Sequence, residues 1–259
     1  EMMPYLPSSE LSEMSRKLPQ AIQEQGREIR MFMPKYGCIN ERRNQLHEVI
    51  RLSGMNLIID DTDHQLIIKV ASLPAARMQV YFIDNDDYFR RKFTVAGDDG
   101  VEYADNGDRA VFFARGVLET VKKLRWTPDI IHCHGWFTSL LPVYIKKVYS
   151  DDPFFANSKV VYSVYDDNYK TPLSDTLASR LCDDGIGESE ISALKSGTDY
   201  VNLCKFAVDF SDGVVQGGKG AEPQVLEYAR QSGKMVLDYA DEDNYVSAYN
   251  DFYNKILGL

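Results

Sequence analysis

Basic charge is what this chain lacks: 29 Lys and Arg stand against 39 Asp and Glu, a formal charge of −10. Phosphate backbones are held by clustered Lys and Arg that repay counterion release, so nucleic acid is excluded as a partner. The short basic groups Arg42-Arg43, Arg90-Arg91-Lys92 and Lys122-Lys123 are flanked by acids and read as solvated faces. Cysteine is sparse too. Cys38, Cys133, Cys182 and Cys204 lie far apart in no framework spacing, which suits free thiols in a reducing compartment. No apolar run reaches the roughly 18 residues that span a bilayer, and no signal-peptide pattern opens the chain. A membrane is excluded, and the cytoplasm is the expected location.

What is present is ordinary globular sequence: 259 residues, 44% hydrophobic and 26% charged. That is enough chain for a sizeable core, and no repeat or linker divides it, so one domain is expected. Ser8 or Ser9 caps a helix running to about Gln25, with Pro19 inside it and Gly26 as its stop. Strand-like runs follow at 27–34, 55–59, 65–72 and 78–82, with turns at 60–63 and Leu73-Pro74. Their close spacing suggests an antiparallel meander in part. Residues 86–106 read as an ordered loop, and Arg109–Leu124 as an amphipathic helix. From there strand and helix alternate: strands at 129–134, 159–164, 214–215 and 235–237, and helices at 137–148, 175–182, 188–195, 199–211, 222–232 and 244–256. This order predicts a Rossmann-like, doubly wound, mostly parallel α/β sheet.

The segment Asp129-Ile130-Ile131-His132-Cys133-His134-Gly135-Trp136 is the most informative. A strand hands over here to a helix, and ligands in such sheets sit at the carboxyl ends of strands. His134 and Trp136 therefore stand where chemistry is expected. His132 and His134 share one face of the strand, a pairing zinc can use, but a site needs a third ligand. His47 and His64 are the only other histidines and no Cys-x-x-Cys accompanies them, so no metal is expected and no cofactor is implied. A packed histidine pair is the plain alternative. Gly217-Gly218 with Gly220 could cradle a phosphate, but a lone glycine cluster is a weak signal and a surface turn is the preferred reading. Tyr162, Tyr165 and Tyr169 could stack on sugar rings or fill the core. Glu188, Glu190, Asp183 and Asp184 read as helix-start carboxylates rather than an acid–base pair.

Across residues 4 to 215 the motifs fall in a recognisable order. They are Leu18-Pro19-Gln20-Ala21-Ile22, Met33-Pro34-Lys35-Tyr36-Gly37, Val80 to Asn85, Tyr103 to Arg109, Pro128 to Trp136 and Val201-Asn202-Leu203-Cys204-Lys205. In this the chain resembles the amino-terminal domain of starch/glycogen synthases, retaining glucosyltransferases of the two-Rossmann (GT-B) architecture. The resemblance implies one half of a GT-B fold and a family reaction transferring glucose from ADP-glucose to an α-1,4-glucan. His134 matches the family's sugar-contacting His. Trp136, Asn202, Lys205 and Glu13 match or stand at substrate-binding positions, and Tyr165 stands where the family carries a second His. The family's Lys-x-Gly-Gly-Leu loop, which cradles the donor diphosphate, reads Pro7-Ser8-Ser9-Glu10-Leu11 here, and its Asp after the histidine is Gly135. The donor loop is thus degraded, and the second Rossmann domain is expected to be absent from these residues. The family's first strand, central in its sheet, would precede Glu1, so about ten more apolar residues upstream, or another segment in that slot, are expected.

Three classes follow. One is a glucosyltransferase that completes its site elsewhere, the second a module that binds α-glucan, and the third a protein-interaction module regulating glucan metabolism. The partners implied are α-glucan or ADP-glucose, and a protein.

Overall fold

The computed structural model describes residues 1–73 and 78–259. These form two compact units, Glu1–Leu124 and Arg125–Leu259.

In the first unit, α1 (Glu10–Glu24) begins at Ser9, whose hydroxyl accepts the Ser12 N–H while the Ser12 hydroxyl oxygen accepts the Ser9 N–H. The helix ends at Gln25, and Gly26 takes the left-handed φ of 85° that the stop requires. Leu11, Met14, Leu18 and Ile22 are buried along one face, as their spacing predicts. Pro19 lies within the helix. Strands β1 (Met31–Pro34), β2 (His47–Glu48), β3 (Met55–Ile59), β4 (Thr62–Leu73) and β5 (Met78–Asp84) form a mixed sheet. The pairs β3–β4 and β4–β5 are antiparallel, the expected meander, whereas β1 runs parallel to β5. The short strand β2, which pairs with β4, was not visible in the sequence. The turn expected at Leu73-Pro74 lies partly outside the described residues.

The loop expected at 86–106 opens with one helical turn, α2 (Asp86–Phe89), because the Asn85 side chain accepts the Asp87 and Tyr88 N–H groups. Helix α3 (Asn106–Lys123) starts earlier than expected and buries Arg109 completely. Its guanidinium donates to the Tyr88 carbonyl at 2.8 Å and the Asn106 carboxamide at 2.7 Å. The rings of Tyr36, Phe89 and Tyr103 surround it at 5.2–5.7 Å. Burial lowers its pKa, yet an arginine starts so high that it stays charged.

The second unit holds β6 (Ile130–His134), β7 (Lys159–Val164), β8 (Gly213–Gln216) and β9 (Met235–Leu237) in one wholly parallel sheet, in sequence order. Its other elements are α4 (Leu141–Val143), α5 (Leu177–Asp183), α6 (Ser192–Lys195), α7 (Tyr200–Asp209), α8 (Pro223–Gln231) and α9 (Tyr245–Leu257). The alternation, and His134 at the carboxyl end of a parallel strand, are as expected. The continuous helix expected at 137–148 is not. The chain makes a 3₁₀ turn at Trp136–Thr138, the single turn α4, then a π-helical turn at Tyr144–Val148. Pro142 explains part of the break: it has no N–H to give to residue 138, and its ring would clash with that carbonyl. The π turn closes with Tyr149 N–H on the Tyr144 carbonyl, five residues back.

Among the described residues, β1 has a ladder neighbour only in β5, and β6 only in β7. No helix of the described residues is long and apolar enough to cross a membrane.

Candidate functional site

The carboxyl ends of β6 and β7 build a polar cluster from side chains on one face. His132 and His134, two residues apart, stack with ring centroids 4.0 Å apart. His132 meets the Tyr253 hydroxyl through Nδ1 and the Ser163 hydroxyl through Nε2, both at 2.6 Å. His134 Nδ1 lies 2.8 Å from the Tyr165 hydroxyl. Some surface of each ring remains, but protein surrounds both closely. Burial holds His132 well below the ordinary imidazole range and pulls His134 down to about 3. Both are therefore neutral at pH 7. Burial also raises Tyr165, so its hydroxyl keeps its proton. The cluster can exchange hydrogen bonds with a neutral ligand, and it offers no positive charge to an anion.

Immediately after His134 the chain turns at Gly135, with φ 78° and ψ 173°. That combination is open essentially to glycine alone. It places the Trp136 N–H on Asp167 Oδ2 at 2.8 Å. The other oxygen of Asp167 accepts the Tyr200 hydroxyl at 2.8 Å, and that hydroxyl also lies 2.9 Å from the Tyr165 carbonyl. Trp136, Tyr169 and Tyr200 pack edge to face in series, at 4.9 and 5.8 Å. Tyr165 and Tyr162 are buried, the latter with its hydroxyl on the Cys204 sulfur. Against Tyr165 runs the glycine turn after β8. A Cβ on Gly217 would sit 2.4 Å from Cζ of Tyr165, so this glycine is required by close approach. We expect Gly217→Ala to displace the Tyr165 ring, destabilise the protein by about 1–3 kcal/mol in urea unfolding, and shift the His134 ring signals.

The structure brings His134, Trp136 and Tyr165 together, directly or through Asp167 and Tyr200. It engages Asn202 otherwise: the carboxamide donates to Asp199, the residue capping α7. Lys205 lies over the Tyr228 ring of α8, 5.4 Å from its centroid. Glu13 and residues 7–10 belong to the first unit, at the start of α1. There the Ser8 hydroxyl donates to the Glu13 carboxylate, and the Pro7 carbonyl accepts the Ser12 hydroxyl. Glu10 and Glu13 occupy the first helical turn. Of the acids near 183–190, Asp184 accepts the Tyr144 hydroxyl and Glu190 pairs with Lys147. Among the described residues no three His, Cys, Asp or Glu side chains converge to hold a metal ion.

Sequence reasoning missed Asp167, Tyr200, Ser163 and Tyr253. Nothing local marks them, since Asp167 differs from its neighbour Asp166 only in where the loop directs it.

A parallel sheet flanked by helices, with its polar site at the carboxyl ends of adjacent strands, defines a Rossmann-like α/β fold. Residues 1–219 match the family model of the starch synthase catalytic domain, and the chain belongs to that family. Among curated relatives it is similar to the glycogen synthase of Chlorobium limicola, 37% identical over 214 residues that cover 82% of this chain and 43% of that one. It is also similar to the glycogen synthase of Chlorobaculum parvum, 33% identical over 258 residues, covering 99% of this chain and 51% of the relative. The chain thus spans about half the length of these relatives. A solved structure, the catalytic domain of starch synthase IV from Arabidopsis thaliana bound to ADP and acarbose, superposes with a TM-score of 0.67 at 23% identity. That match covers 83% of this chain and 43% of the other, and gives the fold as one half of a GT-B glycosyltransferase.

Proposed function

We propose that residues 1–259 form the amino-terminal half of a starch/glycogen synthase-like glycosyltransferase of glucan metabolism, and that alone they bind α-glucan without transferring glucose to it. The family reaction would be glucosyl transfer from ADP-glucose. The observation that carries the reading is the contrast between two sites. The start of α1, where the family's donor loop would cradle a diphosphate, is closed by its own side chains: Ser9 caps it, and Glu10 and Glu13 complement its dipole. An incoming phosphate finds neither the open N–H groups nor the lysine that such a site needs.

At the end of β6 a neutral imidazole is held by the Tyr165 hydroxyl, Trp136 follows it and packs on Tyr169, and the loop after β7 carries the exposed Asp166, Asn168 and Lys170. Aromatic bodies with neutral hydrogen-bonding tips suit a polyhydroxyl ligand. Four free thiols fit a reducing cytoplasm. His134 would contact the sugar, held in place by Tyr165.

A glycogen pull-down run beside an ADP-glucose titration tests the reading. Retention on glycogen that falls with His134→Ala supports it. Micromolar ADP-glucose binding without retention on glycogen overturns it. Binding of neither, with capture of a specific protein that His134→Ala leaves intact, would favour the interaction module instead.

A further inference from the structure

We infer that Asp167 is the positioning residue of the His134–Trp136 turn, and that it acts only in combination with Gly135. The inference relies on the glucan-binding reading for its ligand, but not for its geometry. Asp167 lies in the loop after β7, yet its carboxylate serves two other elements, accepting the Trp136 N–H after β6 and the Tyr200 hydroxyl at the start of α7. The charge-assisted bond to Trp136 fixes the peptide directly following Gly135, so it fixes the direction in which the chain leaves His134. Gly135 must adopt φ 78° and ψ 173° for that N–H to reach the carboxylate. A residue with a Cβ is excluded from that region, so the turn exists only with glycine at 135 and an acceptor at 167.

The consequences reach the ring stack. Trp136 packs on Tyr169, Tyr169 on Tyr200, and Tyr200 returns its hydroxyl to Asp167 and the Tyr165 carbonyl. The loop closes on the residue whose side-chain hydroxyl holds His134. Asp167 therefore sets where the imidazole and the indole stand without needing to touch a ligand. The position needs an acceptor aimed at Trp136, not a negative charge as such. An asparagine can supply that acceptor through its carbonyl while Tyr200 keeps its bond to the Tyr165 carbonyl.

Four variants test this: Asp167→Ala, Asp167→Asn, Gly135→Ala and the double Gly135→Ala/Asp167→Ala. Maltoheptaose affinity should fall by about tenfold or more in Asp167→Ala and in Gly135→Ala, the loss expected for a hydrogen bond to a charged group. The double variant should be no weaker than the worse single, because both remove one turn. Asp167→Asn should return most of the affinity. Additive losses in the double, or an Asp167→Asn variant as weak as Asp167→Ala, would overturn the assignment. Should the wild-type chain not bind maltoheptaose, the glucan reading fails, and ¹H–¹⁵N spectra decide the geometry. There the Trp136 amide and His134 ring signals should move together in Asp167→Ala and stay near their wild-type positions in Asp167→Asn. Signals unmoved in Asp167→Ala would refute the positioning role.

Discussion

Titration of residues 1–259 with ADP-glucose is expected to give a dissociation constant no tighter than millimolar, and no radiolabelled glucose should enter glycogen. Transfer from a sugar nucleotide needs the developing charge on the diphosphate to meet aimed donors and cations, usually the largest single contribution to rate. On the proposed reading, the start of α1 is the donor loop and lacks those groups. Pro7 offers neither an ammonium nor an N–H, and Ser9 already occupies the Ser12 N–H. Glu10 and Glu13 add negative charge to the same turn. A like charge 4 Å from a phosphate costs roughly 4 kcal/mol at an effective dielectric constant of 20, less where solvent screens it. Removing even one well-aimed donor costs about 10²–10³ in rate, and the losses in a shared site need not multiply to abolish detectable turnover. Micromolar calorimetric binding, or label in glycogen with the purified chain, would return these residues to the enzymes. The smaller effect at the same place is the cap itself: Ser9→Ala should cost about 1 kcal/mol of stability in urea unfolding, with no change in glycogen retention.

Much of this architecture could be read in the amino-acid order, and the parts that could not share a cause. Strands β3, β7 and β9 fall on the residues whose apolar runs announced them, because a run bounded by turn formers has few alternatives. The cap at Ser9 and the stop at Gly26 are local chemistry, and local chemistry is visible in sequence. The stretch 137–148 misled because its apolar composition outweighed one proline. Arg109 opened an expected amphipathic helix, yet it is fully buried, because the nearby Tyr103 ring and the more distant rings of Tyr36 and Phe89 close around it.

The site divides in the same way. That His132 and His134 share a face followed from the two-residue period of a strand, and their stacking agrees. That Asn202 turns to Asp199, or that Asp167 pins the turn after β6, depends on tertiary placement with no signature in spacing. Gly135 shows the limit most clearly. In sequence it is the loss of an acid, whereas in three dimensions its backbone angles are what the turn is built on.

Unfolding in urea is expected to become much easier as the pH falls from 6.5 toward 5, and the stacked histidines are the reason. His132 lies well below the ordinary imidazole range and His134 at about 3, both through burial. In the unfolded chain each returns to about 6.5. Above that pH both states hold neutral imidazoles, and stability is independent of pH on their account. Below it the unfolded chain takes up protons that the folded chain refuses, so the folded state loses stability as the pH drops toward the folded values. A group that stays neutral in the folded chain contributes a slope approaching about 1.4 kcal/mol per pH unit, so His134 alone costs roughly 2 kcal/mol by pH 5, and His132 acts in the same direction. Against a domain stability of about 5–15 kcal/mol, that is a large fraction. Carboxylates ordinarily titrate lower, but burial raises Asp84 against the pull of Lys69, so it is the comparison with histidine variants, which keep Asp84, that isolates the histidines. Substituting either one, His132→Gln or His134→Gln, should roughly halve the slope in this window whatever it does to stability at pH 8. Each variant removes one titrating group, and the Tyr253, Ser163 and Tyr165 hydroxyls facing the pair are neutral throughout. Equal slopes in wild type and both variants would show that the imidazoles titrate normally in the folded protein, and that the neutral cluster on which the glucan-binding reading rests does not exist.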